Sequence, residues 1–325
     1  MLTSFAKTHI GQRTTNEDFI MVDEKLGLYV VADGVGGLEN ADMASKIASQ
    51  KVLECTKKGR KLDSSVYEAH GALVDLIESN HRRQGMATTI AAVLFKGNKY
   101  QISWVGDTRV YLWDKTLKLL TKDDSHVEIY FDRGLISIED LHMHPDRNYI
   151  TQALGMRRKE VTINNNFGTL EQNQILLICS DGLYRVANEA KMTHALSQHK
   201  DMKQLTENLV NFAVDNNGMD NISLISIQSD QSTSRQEVSI KPHVVREFDT
   251  HTGKINIVSL PLDQQETDPN LVDITKLQEL TQLEKDLLET AFKQLSKSQE
   301  KKHTIIPIVL IIFVVLMSIL LYLFR

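Results

Sequence analysis

The chain has 325 residues, more than one average domain and enough for a sizeable core. Its net charge of -5, with no long basic run, argues against nucleic-acid binding. The only cysteines, Cys55 and Cys179, rule out a disulfide framework and a Cys-x-x-Cys site, and they fit a reducing compartment.

No apolar signal-peptide core is read near the N-terminus. From Ser4 to about Gln228 short strand patterns alternate with helical ones. Strands are predicted at 4–10, 18–23, 28–33, 89–96, 99–105, 108–114, 117–121, 160–167, 174–180 and 221–228. Gly97 with Asn98, and Asp114 with Lys115, read as tight turns between consecutive strands, which implies mostly antiparallel pairing. Helices are predicted at 39–58, 63–82, 188–198 and 202–216, with a shorter piece at 125–133. In the first, Ala41, Ala44, Ile47 and Ala48 recur on one face; in the last, Leu205, Leu209, Phe212 and Ala213 do. This inventory suits an α/β protein of α+β type: two stacked, mostly antiparallel sheets flanked by helices, an αββα sandwich.

At Ser229 the composition turns polar, so residues 1–229 read as the folded domain and 230–303 as a linker. Two β-like runs, Val238 to Phe248 and Lys254 to Leu260, are candidates for a small hairpin. Residues 273–297 read as an amphipathic helix, equally suited to a solvated stalk or to self-association. Thr304 to Phe324 carries no charged side chain. As a helix it would be about 31 Å long, the thickness of a bilayer's hydrocarbon core. Residues 304–324 are therefore expected to form one transmembrane helix. Lys301 and Lys302 precede it, which favours a single-pass protein of the cytoplasmic membrane with its domain in the cytoplasm.

Four aspartates share one context, an apolar run that ends in Asp. Asp33 follows Leu28 to Ala32 and is followed by Gly34, Gly36 and Gly37. Asp107 follows Val105 and Gly106, Asp181 follows Ser180, and Asp220 precedes Asn221. An ionised carboxylate at the end of a buried strand needs a partner or a metal. Several together repel unless cations compensate, and all-oxygen acidic donors favour Mg²⁺ or Mn²⁺. The bare backbone at Gly34 would let its carbonyl reach an ion. Between Gly11 and Asp18, Arg13 can offer a two-pronged fork to phosphate oxygens, while Glu17 and Asp18 open a strand beside it. His142 and His144 lack a zinc-site context and read as structural.

These motifs stand in one order: Gly11-x-Arg13-x-x-Asn16-Glu17-Asp18, Asp33-Gly34-x-Gly36-Gly37, Gly85-Met86-x-Thr88-Thr89, Val105-Gly106-Asp107-Thr108-Arg109, Leu120-Thr121-x-Asp123, His144-Pro145-x-Arg147-Asn148, Ser180-Asp181-Gly182-Leu183 and Asp220-Asn221. The ordered set, over residues 4–228, resembles the metal-dependent type 2C (PPM) protein Ser/Thr phosphatases. The resemblance implies that Asp33 bridges two Mn²⁺ or Mg²⁺ ions, with the Gly34 carbonyl on one and Asp181 and Asp220 on the other. It implies a third site between Asp107 and Asp181, as in bacterial members. Arg13 would bind the substrate phosphate, Glu17 and Asp18 would order water at the metals, and residues 124–148 would form a flap. Phosphoserine and phosphothreonine proteins would be the substrates, attacked by a water that bridges the metals. Departures from the pattern are Val35, where animal members carry a His, Ala87 for a frequent Gly, Asp124 for a common His and Gln152 for a common Arg. The competing expectations are a phosphoprotein-binding module without turnover and a membrane adaptor acting through 273–297.

Overall fold

The computed structural model describes residues 2–229 apart from 36–39, 81, 82, 84, 139 and 157–159, together with 245–248 and 255–258. The chain divides into two compact units, Met1–Leu262 and Asp263–Arg325, and every described residue belongs to the first. The strands before the second helix are β1 (Leu2–His9), β2 (Asp18–Asp23) and β3 (Leu28–Gly34). They are followed by helices α1 (Ala41–Lys57) and α2 (Leu62–Ser79). Next come β4 (Thr88–Lys96), β5 (Lys99–Val105), β6 (Arg109–Asp114), β7 (Thr116–Leu119) and α3 (His126–Asp132). After two 3-10 turns, the chain forms β8 (Asn164–Thr169), β9 (Ile175–Cys179), α4 (Asp181–Tyr184), α5 (Glu189–Gln198), α6 (Met202–Asp215) and β10 (Ile222–Ser229). Two last strands are β11 (Val245–Phe248) and β12 (Ile255–Val258).

The strands build two antiparallel sheets, β1-β10-β9-β6-β7-β11-β12 and β2-β3-β4-β5-β8. Side-chain alternation along each strand divides the core into three apolar layers. Tyr29 and Val31 of β3 meet Leu176 and Ile178 of β9 and Ile225 and Ile227 of β10 between the sheets. The alternate residues, Leu28, Val30 and Ala32, pack under Ala44, Ala48, Val66 and Leu73 of α1 and α2. On the other side Ile175, Leu177 and Cys179 face Leu196, Leu205 and Leu209. Strands buried on both faces explain the unbroken apolar runs. The expected αββα sandwich is the observed fold. Cys179 packs there as a small hydrophobe.

One strand shifts, one short helix is added, and one candidate hairpin is present. The strand expected at 160–167 is Asn164–Thr169, because its asparagines are held by partners elsewhere in the fold. Asn166 Nδ2 donates to the Leu120 carbonyl, and Asn165 Oδ1 accepts from Ser103. The one-turn helix α4 is too short for its apolar spacing to announce it. The candidate hairpin at 238–260 is present as β11 and β12, and β11 pairs with β7, so the first sheet continues past residue 229. Gly36, Gly37, the 273–297 helix and the 304–324 segment lie outside the described residues. Among the described residues, no helix is long and apolar enough to cross a membrane.

Candidate active site

Five carboxylates from distant parts of the chain meet at one end of the sandwich. Asp18 begins β2 and Asp33 stands near the end of β3, directly opposite it in the β2–β3 register. Asp107 lies in the crossing from β5 to β6, Asp181 opens α4 at the end of β9, and Asp220 precedes β10. Backbone closeness makes this convergence possible. Gly11 has φ +62°, and a Cβ there would sit 2.0 Å from the Asp220 carbonyl oxygen. A Cβ on Gly34 would sit 2.6 Å from the Ala41 carbonyl oxygen. The Gly34 amide donates to the Glu17 carbonyl at 3.1 Å, which ties the two site stretches together.

Burial and mutual repulsion set the electrostatics. Asp33 is held well above the usual carboxylate range, first by desolvation and then by Asp18, Asp181, Asp107 and Asp220. Asp18 is pushed up to about 7 by desolvation, with Ser223 and Ser180 bonds opposing and Asp181 and Asp220 adding. Asp107 is also pushed up to about 7, by desolvation and then by Asp181 and Asp123, against Arg185 and Arg109. Asp181 and Glu17 are raised chiefly by desolvation. Asp18 Oδ1 and Asp181 Oδ1 are buried with no hydrogen-bond partner. Orphaned carboxylate oxygens in a crowd of negative charge are the signature of a place for a cation.

Among the described residues, no three His, Cys, Asp or Glu side chains close on one point as a finished metal cage. The acids repel one another and two of their buried oxygens are orphaned, so the cluster calls for a compensating cation. The donors are oxygens on short acidic side chains, which fits a hard divalent cation rather than zinc.

Arg13 sits at the lip of the cluster. Its Nη2 donates to Asp220 Oδ2 at 2.9 Å, with both side chains more than a third exposed. All the predicted site residues, Arg13, Glu17, Asp18, Asp33, Gly34, Asp107, Asp181 and Asp220, therefore fall in one region. His144 is structural, as expected: its Nδ1 caps the 3-10 turn Pro145–Asn148 by accepting from the Asp146 amide at 3.1 Å.

Several organising residues went unread in the sequence. Asn221 Oδ1 accepts from the Glu17 amide at 2.8 Å, and its Nδ2 donates to the carbonyls of Ile10 and Thr15. Ser180 donates to Asp18 Oδ2 at 2.8 Å, bonding one sheet's end to the other's. Arg185 bridges Asp181 and Asp107. The i, i+4 spacing of Asp181 and Arg185 was a readable signal; the other contacts had none. Two of the unusual positions have separate partners: Gln152 pairs with the Thr162 backbone, and Asp124 Oδ2 accepts from the Gly106 amide at 2.8 Å. The flap base is thereby tied to the loop that carries Asp107.

A family model described as protein phosphatase 2C matches residues 6–223. The serine/threonine protein phosphatase PstP of Mycobacterium tuberculosis is 32% identical over 220 residues, 66% of this chain and 42% of that protein. The chain thus matches less than half the length of that relative. A serine/threonine phosphatase, stp, of Listeria monocytogenes is 29% identical over 223 residues, covering 65% of this chain and 88% of the relative. The crystal structure of the Mycobacterium tuberculosis phosphatase PstP superposes with a TM-score of 0.65 at 29% identity, covering 71% of this chain and 99% of that one. A structure of the PstP catalytic domain in complex with two manganese ions superposes with a TM-score of 0.62 at 28% identity, covering 70% and 97%.

Proposed function

The chain belongs to the protein phosphatase 2C family, and on that premise we propose that it hydrolyses phosphoserine and phosphothreonine in proteins with the help of bound Mn²⁺ or Mg²⁺. The observation that carries this reading is the cluster of five carboxylates with two buried, unpartnered oxygens, beside the arginine at its lip. When bound, divalent ions lower the pKa of water and neutralise charge on the phosphoryl oxygens. Asp33, Asp181, Asp220 and the Gly34 carbonyl are the residues that would hold them.

The remaining work falls to the chain itself. Arg13 spends one guanidinium nitrogen on Asp220, and the planar fork has further donors for phosphate oxygens. Asp18 keeps Oδ2 fixed by Ser180, and its Oδ1 is left to accept a hydrogen bond from water and so order it. Glu17 stands next to it at the rim. Burial pushes the Cys179 thiol well up, which removes it as a nucleophile and argues against a cysteinyl-phosphate intermediate.

The finer reading is a phosphatase tethered to the cytoplasmic membrane by residues 304–324 and acting from the cytoplasmic side. Its support is the uncharged, bilayer-length segment flanked by Lys301 and Lys302. The full chain in detergent is expected to cleave p-nitrophenyl phosphate and a phosphothreonine peptide with Mn²⁺ and to stop in EDTA. Asp33→Asn is expected to lose about a thousandfold in rate, ~4 kcal/mol of barrier. Full activity in EDTA, or in that variant, would sink the reading.

A further inference from the structure

One pole of the cluster already holds a cation, and the chain supplies it. Arg185 follows α4 as its C-cap, four residues beyond Asp181. Its fork spans two acids: Nη1 is 2.7 Å from Asp181 Oδ2, and Nη2 is 3.3 Å from Asp107 Oδ2. Asp107 is served by a second donor as well. The Tyr184 hydroxyl lies 3.1 Å from its carbonyl oxygen and 3.4 Å from the same Oδ2.

Tyr184 is itself fixed. The Arg109 guanidinium stands 3.8 Å from the centre of its ring. Arg109 in turn is bound by Asp123 at 2.8 Å and Glu189 at 3.2 Å, and all three side chains are nearly buried. The Asp107 pole is thus a satisfied network of charges. Among the described carboxylates of the cluster, the buried oxygens that lack partners belong to Asp18 and Asp181, and Asp107 contributes none.

We propose that Arg185 is a resident cation standing in for a metal ion between Asp107 and Asp181, so that this chain binds two divalent ions and not three. The inference rests on the reading of the cluster as a divalent metal site. Mg²⁺ or Mn²⁺ would need carboxylate oxygens at about 2.0–2.2 Å. A guanidinium within hydrogen-bond distance of both Oδ2 atoms fills that space. To admit an ion, Arg185 must give up two charge-assisted bonds, which are the stronger kind. Its charge cannot be titrated away at any working pH. Asp107 is then a positioning residue: it fixes Arg185, and through it Asp181, which the ions at the other pole require.

The test is a count of bound Mn²⁺ by equilibrium dialysis on the full chain in detergent at neutral pH. The unaltered chain is expected to bind two ions, and Arg185→Ala three. Arg185→Gln keeps the stem and a polar head, serves if the alanine variant fails to fold, and is also expected to bind three. Asp107→Asn is expected to keep two ions but to hold them more weakly, since Arg185 and Asp181 lose their anchor. Three ions with Arg185 in place, two in both Arg185 variants, or one ion in Asp107→Asn would each overturn the proposal. An unaltered chain that binds no Mn²⁺ would overturn the phosphatase reading along with it.

Discussion

Asp18 and Asp33 sit directly opposite each other on adjacent antiparallel strands, β2 and β3. Like charges in that position destabilise a sheet. Both carboxyls are raised by desolvation, and Asp18 reaches about 7. The fold holds this arrangement because β3 is buried along nearly its whole length, which fixes the register of the pair.

A pH dependence follows for the metal-free protein. The unfolded chain titrates its aspartates near 4. The folded chain holds Asp18 and Asp107 to about 7 and Asp33 above the usual range. Between those values the native state binds more protons than the unfolded one, so stability falls as pH rises. Urea melts in EDTA are expected to lose on the order of a few kcal/mol between pH 5 and 7.5. Saturating Mn²⁺ is expected to remove that loss by binding only the folded, ionised cluster. Equal metal-free stability at both pH values would contradict the cluster's electrostatics.

Arg13→Ala tests the phosphate clamp. The guanidinium is partly exposed and, among the described residues, pairs with Asp220 at the lip, so its loss is expected to leave the fold intact. A charge-assisted hydrogen bond is worth about 1.5–3 kcal/mol, which predicts a rise in KM of roughly 10- to 100-fold with a smaller fall in kcat. Arg13→Lys is expected to recover part of it, since a point charge lacks the fork. An unchanged KM for a phosphothreonine peptide would remove Arg13 from the site.

Asn221 is expected to matter to stability and activity together. Its buried side chain makes three bonds to the 10–17 backbone, and alanine would strand the Glu17 amide and the Thr15 carbonyl, while the Ile10 carbonyl keeps the Arg13 amide. That predicts a loss of about 2–4 kcal/mol, or roughly 5–15 °C in Tm. The loop that carries Arg13 and Glu17 would lose its staple, so kcat/KM at 25 °C is expected to fall even where the variant is fully folded. A variant that melts lower but turns over normally would limit Asn221 to a structural role.

The part of the site that could be read in the sequence is the part written locally. Asp33, Asp107 and Asp181 each end an apolar run, and the alternation that buries the strands also fixes where those runs stop. The residues that organise the acids are joined to them across the fold. Ser180 and Asp18 are 162 positions apart, and Asn221 and Glu17 are 204 apart. A serine or asparagine carries no periodic signature, so only the folded chain reveals its role. Arg185 falls between these cases: its pairing with Asp181 is local, but its reach to Asp107 spans 78 positions. The β11 pairing with β7 is likewise a matter of sheet topology that no local pattern announces.

The proposed membrane anchor makes a prediction independent of the chemistry. Thr304 to Phe324 has the length and the lack of charge of a bilayer span, and lysines flank it on the domain side. The residues assigned to metal and phosphate all lie before residue 229, so anchoring and hydrolysis are expected to be separable. An anchor would restrict substrates to proteins at or near the membrane by raising effective concentration there. Ending the chain at Lys302 is expected to move it from the membrane pellet to the soluble fraction. Peptide hydrolysis is expected to stay within about twofold, a difference of ~0.4 kcal/mol. In sealed spheroplasts, protease added outside is expected to spare the domain of the full chain. Digestion from outside would reverse the orientation, and a full-length chain found in the soluble fraction would end the anchor proposal.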